Sequence, residues 1–136
     1  QRGRILAGIR LTPTTARCGV YSYMIRDAQS GLLASIPQDL LYGTAPVDEH
    51  IWESSRVFVA HDTPQRIRRL VHAHLITEMT KTARDLGAAH VLGLIPANWP
   101  RWARRCGLSI DAAGRVMEID GIDNQVVSID LTTKLH

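Results

Sequence analysis

Cysteine is nearly absent. The 136 residues hold two, Cys18 and Cys106, in unrelated contexts; this suggests neither a disulfide framework nor a Cys-x-x-Cys metal site and predicts two buried thiols. Aromatic residues are few as well, with one Phe and three Tyr, and no nucleic-acid recognition motif is legible, so no nucleic-acid partner is expected. No apolar run approaches the roughly 20 residues of a membrane span, and no basic n-region followed by an apolar h-region opens the chain. The expected setting is therefore cytoplasmic. Internal repeats and low-complexity tracts are also missing, which predicts one domain over 1–136. His72 and His74, two apart on a predicted helix, point to different faces, and none of the six histidines suggests a metal site.

What is present is ordinary for a globular domain: 45% hydrophobic and 21% charged residues. The charge is unevenly placed. Between residues 66 and 105 eight basic residues (Arg66, Arg68, Arg69, Lys81, Arg84, Arg101, Arg104, Arg105) face two acidic ones, Glu78 and Asp85. From residue 106 onward the balance reverses, with five acidic residues against two basic. A basic middle attracts an acidic partner or forms a solvated helix face.

Hydrophobic pattern and turn residues predict the elements. "RILAGIRLT" (4–12) alternates as a strand, and the chain opens inside it, as a fragment would. Residues 20–49 are irregular, with a short helix in "YSYMIRDA". "IWESSRVFVA" is a second strand, and "HDTPQ" starts a long helix with Asp62 or Thr63 as N-cap and Pro64 in its first turn. Gly87 stops that helix. "AHVLGLI" reads as a fully buried strand, a shorter helix spans about 98–106, and "RVMEID" and "QVVSIDL" pair around Gly121. The order implies an α/β domain with a mixed sheet.

The stretch "WESSR" places Glu53 and Arg56 three apart on the strand that feeds the long helix. On a regular strand such side chains face opposite sides. Either a bulge brings both to one cleft, or the two residues do different jobs. A carboxylate at a partly buried strand end takes a proton from an amine nucleophile, and an arginine fork holds a carboxylate or phosphate. Arg10 is a second candidate for that contact. The competing reading is a structural ion pair between Glu53 and Arg10 or Arg56.

"RLTPTT" followed some forty residues later by "WESSRVFV" resembles the acyl-homoserine-lactone synthases, the enzymes that make quorum-sensing autoinducers. The resemblance covers essentially the whole chain and implies a GNAT-like mixed central sheet flanked by helices. It also implies transfer of an acyl chain from acyl carrier protein or acyl-CoA to the amine of S-adenosylmethionine, with lactone closure and release of methylthioadenosine. No cofactor beyond those substrates is implied. Glu53 would act as the acid/base near the amine, while Ser55, Arg56 and Arg10 organise the cleft. The acyl chain would lie beside "VLGLI", with Gly93 leaving space and Trp99 and Trp102 nearby. In the family a hydroxyl residue near Gly93 goes with a 3-oxo chain, so its absence implies an unsubstituted or longer chain. Arg66, Arg68, Arg69, Arg101, Arg104 and Arg105 would dock the acidic carrier protein. The family's amino-terminal portion, with part of its S-adenosylmethionine site, has no counterpart in this sequence. Two alternatives are a GNAT-type N-acetyltransferase using CoA, against which the lack of a glycine-rich loop in "AHDTPQRIRRL" counts, and a non-catalytic carrier-protein-binding domain.

Overall fold

Strand propensity and alternation decide where the sheet forms, and the chain reads β1 (Ala7–Pro13), α1 (Met24–Gln29), β2 (Ile51–Val59), α2 (Gln65–Asp85), β3 (His90–Pro96), α3 (Trp99–Arg105), β4 (Ser109–Ala112), β5 (Met117–Ile119) and β6 (Ile122–Asp130). The computed structural model describes residues 7–59, 64–105 and 107–132, without side chains at 7 and 56–59. The sheet runs β1-β2-β3-β6-β4, with β5 paired to β6. Among the described residues only β2 and β3 pair in parallel, and a parallel pair needs a crossover, which α2 supplies.

Successive side chains of a strand point to opposite faces, and here they sort into two cores. Val91, Val127 and Ile129 join Met79 and Ala83 of α2 and Ala103 of α3 on one face. Leu92 and Val126 join Tyr23, Ile25 and Ala28, together with Leu40 and Ala45, on the other. The α/β mixed sheet expected from the sequence is what forms.

Several expectations needed correction. Pro64, with φ −57° and ψ 146°, is itself the N-cap of α2 rather than part of its first turn; Asp62 and Thr63 lie outside the described residues. Cys18 is exposed, because it sits in a tight turn bridged to Tyr21, while Cys106 lies outside the described residues. The strand β4 was not foreseen, since four residues carry too little periodicity to read. Gly87 ends α2 as expected, at φ +92°, a left-handed conformation natural to glycine.

Two details of β2 position the site. Gly8 pairs with Phe58 but Arg10 pairs with Ser55, so β2 carries one extra residue at Arg56–Val57, a bulge opposite Ile9. The bulge anticipated at the arginine is thus present, although the Arg56 side chain lies outside the described residues. On the other edge, β2 and β3 pair from Ile51/His90 to Ser54/Gly93 and no further, although both strands continue. The sheet therefore forks at Ser54 and Gly93, towards the carboxyl ends of the two parallel strands.

Candidate active site at the fork of the sheet

The first helix lacks a cap of its own. Its N-cap residue, Tyr23, offers no capping side chain, which leaves the first amides of α1 unsatisfied unless something else reaches them. Glu53 does so from β2. One carboxylate oxygen accepts from the Met24 amide at 3.1 Å and the other from the Ile25 amide at 2.8 Å. A negative charge also suits a helix N-terminus. The side chain is only 1% exposed, and burial raises its pKa above the ordinary carboxylate value against the opposing pull of the two amides and of the Arg10 charge. Among the described residues no salt bridge joins Glu53 to Arg10, and the Arg56 side chain, the other predicted partner, lies outside them. A helix start without Ser, Thr, Asp or Asn at the cap was the sequence signal that a distant acceptor was required.

The "PTT" of the first motif is structural in the same sense. Thr14 is fully buried; its hydroxyl donates to the Asp48 carbonyl at 2.7 Å and accepts from the Asp48 amide at 2.9 Å. It fixes the entry to β2, and the Tyr23 hydroxyl fixes the same segment by donating to the Pro46 carbonyl at 2.6 Å. Burial, then the nearby Glu53 charge, raises the Tyr23 pKa, so the hydroxyl stays a donor.

Ser55 follows Glu53 by two residues, and Arg10 is the register partner of Ser55, so these three share the sheet face that carries α1. Gly93, Trp99 and Trp102 lie on the opposite face. They line an enclosed apolar cavity with Ile95, Ile110 and Ser54. A Cβ added at Gly93 would lie 3.0 Å from the Ser54 hydroxyl oxygen, tighter than side chains ordinarily pack, so glycine there accommodates the Ser54 side chain. The predicted site residues are therefore divided between two faces, and the fork between β2 and β3 lies where one face meets the other.

Outside the cavity, Trp99 and Trp102 also wall an open groove of about 530 Å³ between α2 and α3, with Gln65, Arg69, His72, Asn98 and Arg105. The two indoles meet edge-on at 6.2 Å, and the His72 ring packs on Trp99 at 4.9 Å. Burial, with the Arg68 charge, lowers the His72 pKa. His72 thus helps form an aromatic wall, a role that sequence spacing did not reveal. Arg101 and Arg104 line a neighbouring depression that shares Asn98 with the groove. Arg104 is also committed to structure, since its guanidinium donates twice to the Ile110 carbonyl, at 3.2 and 3.0 Å. Arg66 is exposed on the first turn of α2, and Arg68 is half-buried beside it. Of the six predicted docking arginines, Arg69 and Arg105 line the groove, and Arg101 and Arg104 the neighbouring depression. Among the described residues no group of three or more His, Cys, Asp or Glu could hold a metal ion, and no helix is long and apolar enough to cross a membrane.

No family model matches this chain, and no curated protein sequence does. Solved structures do. TofI, in a ternary complex with an inhibitor and MTA, is 25% identical with a TM-score of 0.74 over 95% of this chain and 59% of its own. The AHL synthase LasI is 18% identical with a TM-score of 0.78 over 99% of this chain and 63% of its own. BjaI, a CoA-dependent acyl-homoserine lactone synthase solved with MTA, is 23% identical with a TM-score of 0.71 over 96% of this chain and 55% of its own. The resemblance read from the two motifs is borne out as similarity of fold to acyl-homoserine lactone synthases. The chain spans less than two thirds of the length of each of these proteins.

Proposed function

We propose that this chain is the acyl-transferring part of an acyl-homoserine lactone synthase, acting in the cytoplasm on S-adenosylmethionine and an acyl thioester. The carrying observation is the fork at Ser54 and Gly93, with a buried carboxylate on one face of the sheet and an apolar cavity on the other, in a fold shared with TofI, LasI and BjaI. A protonated α-amine is no nucleophile, so a base must first take its proton. Glu53 is that base, directly or through a water, its affinity for a proton raised by burial. The free amine attacks the thioester carbonyl, the thiol leaves, and an amide forms. The carboxylate of the same methionine moiety then closes the lactone and expels methylthioadenosine. Arg10, Ser55 and Arg56 organise the polar side of the cleft. The acyl chain enters the cavity between Gly93, Trp99 and Trp102, and the Arg69–Arg105 groove receives the anionic carrier of the thioester, acyl carrier protein or CoA.

The test is product formation by the natural full-length protein supplied with S-adenosylmethionine and a panel of acyl-carrier-protein and CoA thioesters. Acyl-homoserine lactone and methylthioadenosine, followed by mass spectrometry, should both appear and should both be lost in Glu53→Gln. A second reading, a carrier-protein-binding domain without catalysis, is favoured by one observation: both Glu53 oxygens are already engaged by α1 amides. Retained carrier-protein binding with neither product formed would select it.

A further inference from the structure

Two buried carboxylates hold the start of α1, and the proposed reaction uses only one of them. Glu53 reaches it from β2 and accepts from the Met24 and Ile25 amides. Asp27 lies within the helix, is 6% exposed and turns back to the residue before the cap. Its Oδ1 accepts from both the Ser22 amide and the Ser22 hydroxyl, each at 2.8 Å. Consecutive Cα atoms are about 3.8 Å apart, so the amides of residues 22 and 24 that the two carboxylates hold lie within about 8 Å of one another. Like charges that close, withdrawn from water, repel. A neutral acceptor such as asparagine could hold Ser22 without that cost, so the charge on Asp27 exceeds what capping requires.

From this juxtaposition we propose that Asp27 is a positioning residue for Glu53: its buried charge makes Glu53 a stronger base, and its bonds to Ser22 keep the first amides of α1 aimed at the Glu53 carboxylate. The inference rests on the reading of Glu53 as the base that takes the proton of the amine. An ordinary carboxylate is a weak base for that task, and a like charge nearby is one of the few means of strengthening it. Burial raises the Glu53 pKa most and the Asp27 charge adds to it, while the Ile25 and Met24 amides and the Arg10 charge on β1 lower it. Tyr23, whose own charged neighbours include Arg26 and Arg17, stays a neutral donor to Pro46. The β3 residue in register with Glu53 is the apolar Leu92. Asp27 thus supplies the negative charge that offsets Arg10.

Asp27→Asn separates the charge from the scaffold, because the amide oxygen still accepts from Ser22. In the full-length protein, isotopically labelled at its side-chain carboxyls, the Glu53 resonance is identified by its loss in Glu53→Gln and followed against pH by nuclear magnetic resonance. Its midpoint should fall in Asp27→Asn, and the acid limb of the pH–rate profile for acyl-homoserine lactone formation should move to lower pH with it. A purely structural Asp27 would lower the rate and move neither. In the wild type the Glu53 resonance should also shift over the range where the Asp27 resonance moves, a result that does not depend on whether Asp27→Asn folds. An unmoved midpoint in Asp27→Asn, or a wild-type Glu53 resonance blind to Asp27, would overturn the role of Asp27 and leave Glu53 as the proposed base. A midpoint that falls while the acid limb stays, or a protein that forms no lactone, would overturn the part of Glu53 as base and the catalytic purpose of Asp27 with it.

Discussion

The two faces of this sheet are held in different ways. On the α1 face, polar groups lock the packing: Glu53 grips two amides, Thr14 clasps Asp48 from both sides, and Tyr23 bonds Pro46. There the irregular segment 30–45 also lies hard against the turn before β5, where the Tyr42 amide donates to the Ala113 carbonyl at 2.9 Å. On the α2–α3 face the contacts are apolar side chains, and space remains among them. Rigidity and room have been put on opposite sides of one six-stranded layer, which suits a site where a reacting group must be positioned while a chain of variable shape is admitted.

Substitutions can break that contrast, beginning with Gly114. A Cβ at this position would fall on the Leu40 carbonyl oxygen, a backbone atom that cannot swing aside. Gly114→Ala should cost about 3–5 kcal/mol or prevent folding, the range of severe overpacking and strain, as read by urea denaturation. Glu53→Gln comes next. The Met24 and Ile25 amides donate to different carboxylate oxygens, and in glutamine one of these becomes an NH2 group that cannot accept, so a loss of about 1–3 kcal/mol is expected from the donor left unpaired.

The same variant tests the pH dependence. Burial holds the folded Glu53 pKa above that of the unfolded chain. Its contribution to stability is therefore fully present below the unfolded carboxylate's pKa and declines as pH rises through the raised folded one, because the unfolded chain releases its proton first. Stability measured across that window should fall with pH in the wild type, and Glu53→Gln should remove this part of the fall. A wild-type profile that instead rises throughout the window would show that the amide bonds outweigh burial.

The α2–α3 face should respond more mildly. Trp102 is half-buried, so Trp102→Ala should cost about 1–3 kcal/mol, less than the full loss of a buried aromatic, as read by urea denaturation, while widening the range of acyl thioesters turned over in the product assay. Smallest in stability is reversal of Arg69 and Arg105, both exposed. Arg69→Glu with Arg105→Glu should leave the unfolding free energy within about 0.5 kcal/mol yet weaken binding of acyl carrier protein. Unchanged carrier-protein binding would remove the groove between α2 and α3 from the docking surface.

The long apolar runs made the central strands and α2 readable, because burial on both faces leaves a continuous hydrophobic signal in β3 and helical spacing leaves a periodic one in α2. Gly87 was readable for its own reason, a left-handed cap that favours glycine. The bulge was anticipated only because Glu53 and Arg56 made no sense on a regular strand. What could not be read depended on long-range geometry. Nothing local in "WESSR" says that its glutamate caps a helix twenty-eight residues earlier at Ile25, or that Ser54 rather than Ser55 looks into the cavity. Alternation assigned those two serines to different faces, but only the positions of α1 and α3 show which face is which.

The grip of Glu53 on α1 gives the proposed base a second duty. When its carboxylate receives a proton, one oxygen turns from acceptor into hydroxyl while the Met24 and Ile25 amides still point at it. The six-residue helix α1 must then loosen, shift or share its remaining acceptor, so each proton arriving at the strand pulls on the helix above it. A residue placed this way would work as a latch as well as the proposed base, coupling its protonation state to the seating of α1.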